Sequence, residues 1–251
     1  MKQFGLIGYP LGHSFSKGYF AEKFKKENIT DCIYDNYPIE NIGLFKDIIN
    51  KNTNIVGLNV TIPYKEQVIP FLNEIDIEAK EIGAVNTVKV KRNGNTVILK
   101  GFNTDVYGFE TSLKPMLEKQ HQKALILGTG GASKAIKFIL RKLGISYISA
   151  SIEELKENEI RYSDITPKLI SEHLLIINAT PLGTFPKVDT CPDIPYNAIT
   201  SQHVLFDLVY NPDVTLFLKK GRDNGAKTKN GLQMLHLQAE RAWQIWNSPE
   251  F

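Results

Sequence analysis

Residues 57–65, Gly57-Leu58-Asn59-Val60-Thr61-Ile62-Pro63-Tyr64-Lys65, hold polar groups where a buried strand would end in apolar ones. Asn59 and Thr61 are two apart, so an extended chain puts both on one face. In open α/β sheets, ligands bind beyond the carboxyl ends of the strands, which is where this pair falls. Pro63 suits the first position of a helix, which predicts Lys65 in its first turn. There the positive end of the helix dipole disfavours a cation and lowers its pKa, making the lysine an acid–base group; a solvated surface lysine is the plainer alternative. Asp105 follows a tight Gly101-Phe102-Asn103-Thr104 turn and opens a helix from Val106. It reads either as an N-terminal cap or as an ion-pair partner that aligns Lys65 and holds a substrate hydroxyl.

Several further residues could bind small polar ligands. In an extended Gly8–Ser16 segment, Ser14 and Ser16 share one side and suit a carboxylate or a diol, although serine before Phe15 also suits helix capping. His13 reads as structural, and none of the five histidines has metal-ligand spacing, so no metal is expected. Asn86-Thr87 repeats the asparagine–threonine theme of Asn103-Thr104. Gln238 lies beside the apolar stripe of the last helix and needs a partner, for which a backbone hydrogen bond suffices. Gly128, Gly130 and Gly131 fall between the apolar run Leu125–Leu127 and a helix-like stretch. Such glycines let backbone N–H groups approach a pyrophosphate at a helix N-terminus. Ser133 stands where a third glycine is usual in the dinucleotide fingerprint. About 20 residues on, an acid would bind an NAD ribose and an arginine an NADP phosphate; Ser149-Ala150-Ser151 supplies neither, and although its hydroxyls could bond a phosphate within reach of Lys156 or Arg161, Glu153 and Glu154 oppose that charge, so the residues leave the cofactor open.

The elements that must carry these groups alternate in type. Strand-like runs at Phe4–Ile7, Ile33–Tyr37 and Val56–Val60 alternate with helix-like stretches at 15–28, 42–51 and 75–81. A hairpin joins Val85–Val90 to Thr96–Leu99 through a turn at Asn93-Gly94. The α/β pattern restarts at Lys123, with later strands at Ile145–Ser149, Leu174–Asn178 and Val204–Leu208, which puts a boundary near 105–122. A final helix over 231–247 carries Leu232, Leu235, Ala239, Ala242, Trp243 and Trp246 as a core-facing stripe. At 251 residues, 42% hydrophobic and 23% charged, the chain fits two packed globular domains and not a disordered or fibrous class. Its net charge of +3 is dispersed, which argues against nucleic acid or an anionic membrane as partner and leaves room for a small anionic ligand. Cys32 and Cys191 lack C-x-x-C or metal spacing, and glycine and proline interrupt the N-terminus too early for a signal peptide or a spanning helix. A reducing cytoplasm is therefore expected.

Taken in order, H-S-F-S, G-L-N-V-T-I-P-Y-K, G-A-V-N-T, G-F-N-T-D, G-T-G-G-A-S-K-A, N-A-T-P-L-G, F-D-L-V-Y-N-P and N-G-L-Q-M-L-H-L-Q-A resemble the shikimate dehydrogenase family from residue 8 to 239. The resemblance implies an N-terminal α/β substrate domain over 1–105, on which 231–251 packs back, and a Rossmann-type dinucleotide domain over 106–230. It implies Lys65 as the acid–base residue paired with Asp105, and Ser14, Ser16, Asn59, Thr61, Asn86, Tyr210 and Gln238 around the substrate. Gly128, Gly130, Gly131 and Ala132 match the family's phosphate turn, and Thr180, Leu208 and Gly231 match positions along the cofactor. Ser149 and Ser151 flank the position where NADP-using members carry an arginine and this chain has Ala150. The implied reaction is reversible NADPH-dependent reduction of 3-dehydroshikimate to shikimate by a monomer or homodimer, with NAD admitted by the missing arginine. An NAD-preferring quinate/shikimate dehydrogenase and a catalytically silent metabolite-binding relative are the alternatives.

Overall fold

Residues 1–12, 14–94 and 96–249 are described by a computed structural model, in which the chain divides into two units: Met1–Thr104 with the C-terminal stretch from Ala239, and Asp105–Gln238. His13, read above as structural, lies outside the described residues.

The first unit contains β1 (Lys2–Gly8), α1 (Phe15–Lys26), β2 (Cys32–Pro38), α2 (Phe45–Lys51), β3 (Ile55–Val60), β4 (Glu74–Ile75), α3 (Ile77–Ile82), β5 (Thr87–Asn93) and β6 (Thr96–Phe102). Their order in the sheet is β2-β1-β3-β5-β6-β4. β1 pairs in parallel with β2 and β3, whereas β5 and β6 run antiparallel as the expected hairpin, with Gly94 at a φ of +59° in its turn. That left-handed conformation is one that glycine adopts without a side-chain penalty. β1 and β3 read as nearly unbroken apolar runs because the sheet is covered on both faces. One layer gathers Ile7, Phe45, Ile55, Leu58 and Val88; the other gathers Phe4, Phe20, Phe24, Ala239, Ala242 and Trp246. Gly57 is tightly apposed to the Trp246 indole, whose Nε1 donates to the Val88 carbonyl at 3.1 Å. A side chain on Gly57 would displace that ring.

The second unit contains α4 (Asp105–Leu113), β7 (Lys123–Leu127), α5 (Gly131–Lys142), β8 (Ser146–Ser151), β9 (Glu159–Arg161), α6 (Pro167–Glu172), β10 (Leu175–Asn178), β11 (Val204–Asp207), α7 (Leu216–Asp223), β12 (Lys227–Lys229) and the start of α8 (Leu232–Asn247), whose end belongs to the first unit. The sheet is wholly parallel in the order β12-β11-β10-β7-β8-β9. This is the doubly wound dinucleotide-binding arrangement, whose strand order reverses between β7 and β10. Along α8, Met234, Gln238, Ala239, Ala242 and Trp246 are buried, but Leu232, expected in the stripe, is 38% exposed. Among the described residues no helix is long and apolar enough to cross a membrane.

Candidate functional site

In the first unit, the polar residues at the carboxyl end of β3 form one network. Asn59 is buried; its Oδ1 accepts from the Tyr34 hydroxyl at 2.8 Å, and its Nδ2 donates to Thr87 Oγ1 at 3.2 Å and the Asn86 carbonyl at 3.3 Å. Ser16 hydrogen-bonds the same Tyr34 hydroxyl, whose pKa burial pushes well above the ordinary tyrosine value, so it remains a neutral donor. Asn86 Oδ1 accepts from Thr104 N at 2.7 Å, Thr87 Oγ1 at 3.0 Å and Thr104 Oγ1 at 3.1 Å. Ser16, Asn59 and Asn86 are thus linked through Tyr34, Thr87 and Thr104. Such cross-bonding fixes the orientation of both amides, as recognition of ligand hydroxyls and carboxylates requires. Thr61 follows directly, its N–H donating to the Ile7 carbonyl at 2.9 Å.

Two expectations about backbone are corrected here. Ser14 and Ser16 do not share one side of an extended segment: Ser14 caps α1, accepting from Lys17 N at 3.4 Å, and Ser16 lies in the helix's first turn. The capping preference of serine prevailed over the extended reading. Lys65 is not in a helix. Residues 62–68 form turns and Ile69–Phe71 a short 3-10 segment. The Lys65 carbonyl, which a helix would offer to Ile69, accepts from Val85 N at 2.7 Å, while Ile69 N donates to Glu66. Tyr64 is anchored by its hydroxyl to the Ile39 carbonyl at 2.5 Å. These tertiary bonds outcompete the helix that Pro63 suggests, and no helix dipole acts on Lys65, which sits half-buried in the turn after β3.

The second unit holds the other candidates. Asp105 is buried and is the first residue of α4. Gln238 is buried on α8 and donates to the Leu235 carbonyl at 2.9 Å. Tyr210 is 36% exposed on the loop after β11, and burial of its ring raises its pKa. On the same loop Leu208 meets Gly231: a Cβ on Gly231 would stand 2.7 Å from the Leu208 carbonyl carbon, closer than any side chain tolerates.

A cleft of about 580 Å³ opens where the strand order reverses. Gly128, Thr129, Gly130 and Ala150 line it, with Ala179, Thr180, Pro181 and Leu182 after β10. Gly128 has a φ of +99°, and a Cβ there would approach Thr180 Cγ2 to 2.9 Å, so glycine is required twice over. Gly130 caps α5 and Gly131 and Ala132 begin it; a Cβ on either glycine would meet open space. Ser133 ties the turn by donating from its hydroxyl to the Gly130 carbonyl at 2.6 Å. This cradle fits a dinucleotide pyrophosphate. Ser149 and Ser151 are buried at the end of β8; Ser151 Oγ approaches Thr129 Oγ1 at 3.3 Å, whereas Ser149 Oγ has no hydrogen-bond partner among the described residues. No lysine or arginine is among the described lining residues, but Glu153 and Asp193 are.

The loops bordering this cleft are held by a buried pair at the ends of β10 and β11. Asn178 Nδ2 donates to Asp207 Oδ1 at 2.9 Å, while Asn178 Oδ1 accepts from Thr180 N at 3.0 Å and Thr180 Oγ1 at 2.7 Å. Asp207 also accepts from Val209 N at 3.0 Å and Thr215 Oγ1 at 2.5 Å. Burial pushes the Asp207 carboxyl up to about 6, against the pull of those three donors. Sequence reasoning missed this pair, and also the cleft residues Ile152, Tyr162, Cys191, Pro192 and Asp193. Asn178 and Asp207 end two recognised apolar strands, so two polar strand ends side by side were the available signal. Residues 191–193 lie in a loop with no periodicity to place them. Among the described residues no group of three or more His, Cys, Asp or Glu could hold a metal ion.

Comparison with known proteins agrees with this picture. Residues 6–88 match the family model described as shikimate dehydrogenase substrate binding domain. The curated shikimate dehydrogenase (NADP(+)) of Carboxydothermus hydrogenoformans is 38% identical over 96% of this chain and 90% of its own length. The crystal structure of shikimate dehydrogenase 1 from Peptoclostridium difficile superposes with a TM-score of 0.83 at 37% identity, covering 100% of this chain and 93% of the other. That of shikimate 5-dehydrogenase from Thermus thermophilus, in complex with NADP(H) and shikimate, gives 0.83 at 29% identity over 98% and 94% of the two chains.

Proposed function

This chain belongs to the shikimate dehydrogenase family, and on that premise we propose that it catalyses the reversible NADPH-dependent reduction of 3-dehydroshikimate to shikimate, a step toward chorismate and the aromatic amino acids. The observation that carries the reading is the pairing of a polar, cross-bonded end of β3 in one unit with a glycine-cradled cleft at the switch point of a doubly wound sheet in the other. Met1–Thr104 with the C-terminal stretch from Ala239 is then the substrate domain, and Asp105–Gln238 the dinucleotide domain.

A nicotinamide cofactor, when bound, would supply the hydride chemistry of the reaction. The rest falls to the chain. Gly128, Gly130, Gly131 and Ala132 would hold the cofactor's pyrophosphate, Thr180 lines the same cleft, and Leu208 and Gly231 would hold its nicotinamide end. Ser14, Ser16, Asn59, Thr61, Asn86, Tyr210 and Gln238 bind the carboxylate and ring hydroxyls. Lys65 gives a proton to the carbonyl oxygen during reduction and takes it back during oxidation, with Asp105 as its acidic partner. A proton donor at that oxygen polarises the carbonyl without a metal. The free thiols Cys32 and Cys191 suit a reducing cytoplasm, and a monomer or homodimer is the working assembly.

Lys65→Ala tests the chemistry. Its kcat should fall by about a hundredfold or more, the usual worth of a general acid–base group, while shikimate still binds in calorimetry. Near wild-type turnover would remove Lys65 from the mechanism.

A further inference from the structure

A glycine stands inside α4, where alanine would make the better helix. Gly108 has no left-handed φ to explain it, so its backbone conformation is open to any residue. Contact is the reason. A Cβ on Gly108 would stand 2.5 Å from the Met234 carbonyl oxygen and 3.3 Å from both the backbone N and the Cβ of Gln238. α4 and the start of α8 therefore meet backbone to backbone. Asp105 lies three residues before Gly108, and Met234 four before Gln238, so each pair shares a helix face. The face of α4 that bears Asp105 is thus the one laid on the face of α8 that bears Gln238. α4 is itself held in place: Phe109 packs edge-on against Phe206 of β11 with ring centroids 5.2 Å apart, and the buried Ser112 hydroxyl donates to the Gly108 carbonyl at 2.8 Å. A second close approach, of Gly231 to the Leu208 carbonyl, fixes the residue just before α8. All of these residues belong to the Asp105–Gln238 unit.

We propose that Gly108 is a positioning residue for the reaction: by admitting the backbone of α8 against α4, it sets where the Gln238 amide stands relative to the Asp105 carboxylate. The inference rests on the dehydrogenase reading, in which Asp105 partners Lys65 and Gln238 binds the substrate. A methyl group on Gly108 would meet a backbone oxygen and a backbone nitrogen, not the movable end of a side chain. Ordinary van der Waals contact begins at 3.4 Å, so α8 would have to recede by about 1 Å, because Phe109 and Phe206 keep α4 from yielding. Gln238 recedes with it. A misplacement of about 1 Å can cost an enzyme about a hundredfold in rate. The pyrophosphate cradle lies between β7 and α5 and is carried by neither of the two helices, so the effect is confined to the substrate's side of the chemistry.

Kinetics of shikimate oxidation and calorimetric titration with NADP+, measured on the wild-type chain, Gly108→Ala, Gln238→Ala and the double variant, test this directly. Gly108→Ala should lower kcat/KM for shikimate by about tenfold or more, although alanine favours the helix, and should leave NADP+ affinity within about threefold of wild type. In the Gln238→Ala background the same exchange should change kcat/KM by less than about twofold, because no amide is left to displace. Unchanged kcat/KM in Gly108→Ala, or an equal loss in both backgrounds, would overturn the proposal while leaving the enzyme reading intact. Loss of NADP+ binding together with turnover in Gly108→Ala would also overturn it, since that marks a general packing role. A wild-type chain that does not oxidise shikimate would overturn the enzyme reading, and the proposal with it.

Discussion

Asp207 shows how much a single residue's surroundings decide. Its carboxyl is fully buried, and desolvation raises it from 3.8 to about 6 although three donors address it. The folded chain therefore holds that proton more tightly than the unfolded chain. The stabilisation is complete below about pH 4 and is lost as pH rises through about 6. Asp207→Asn keeps an acceptor for Asn178 and Val209 and cannot ionise. Thermal unfolding should accordingly show wild type gaining stability relative to Asp207→Asn as pH falls from about 7 to about 4; parallel curves would mean that the carboxylate does not titrate in this range. The types of the chemical residues were legible in sequence, but their backbone was read less well. Lys65 stood out by its company with Asn59 and Thr61, yet its helix was wrong because the Val85 N–H claims its carbonyl. Nothing local to residues 61–69 announces a partner twenty positions away. Tyr162 was in plain view in the sequence, but only the fold puts it into the cleft.

At the scale of elements, the apolar runs that became β1, β3, β7, β10 and β11 were readable because a sheet covered on both faces writes itself as continuous hydrophobic sequence. β9 and β12, three residues each with exposed or half-buried side chains, leave no such trace, and α6 and α7 are too short for a clear period. What joins elements functionally is the Asn178–Asp207 pair. It ties the end of β10, with the cleft-lining Thr180, to the end of β11 and the loop bearing Leu208 and Tyr210. Asn178→Ala leaves Thr180 N–H without its acceptor and Asp207 without one donor. Urea unfolding should show a loss of about 1–3 kcal/mol, the cost of stranding buried polar groups. NADP+ affinity should fall as well, because the loop after β10 loses its anchor. Unaltered affinity together with lowered stability would confine the pair to a structural role.

For the whole molecule, the ordered set of short motifs from residue 8 to 239 was the strongest evidence in the sequence, since no single motif specifies an enzyme but their order and spacing do. The doubly wound strand order and its switch-point cleft supply the physical reason for the second half of that set; the cross-bonded asparagines of the first unit supply it for the first half. The central claim is oxidation of shikimate at the expense of NADP+. Its most direct measurement is the absorbance of reduced nicotinamide when the purified chain receives both compounds, against controls lacking shikimate. The expected result is shikimate-dependent formation of NADPH, abolished in Lys65→Ala. A chain that binds NADP+ yet produces no reduced nicotinamide from shikimate with either NADP+ or NAD+ would contradict it.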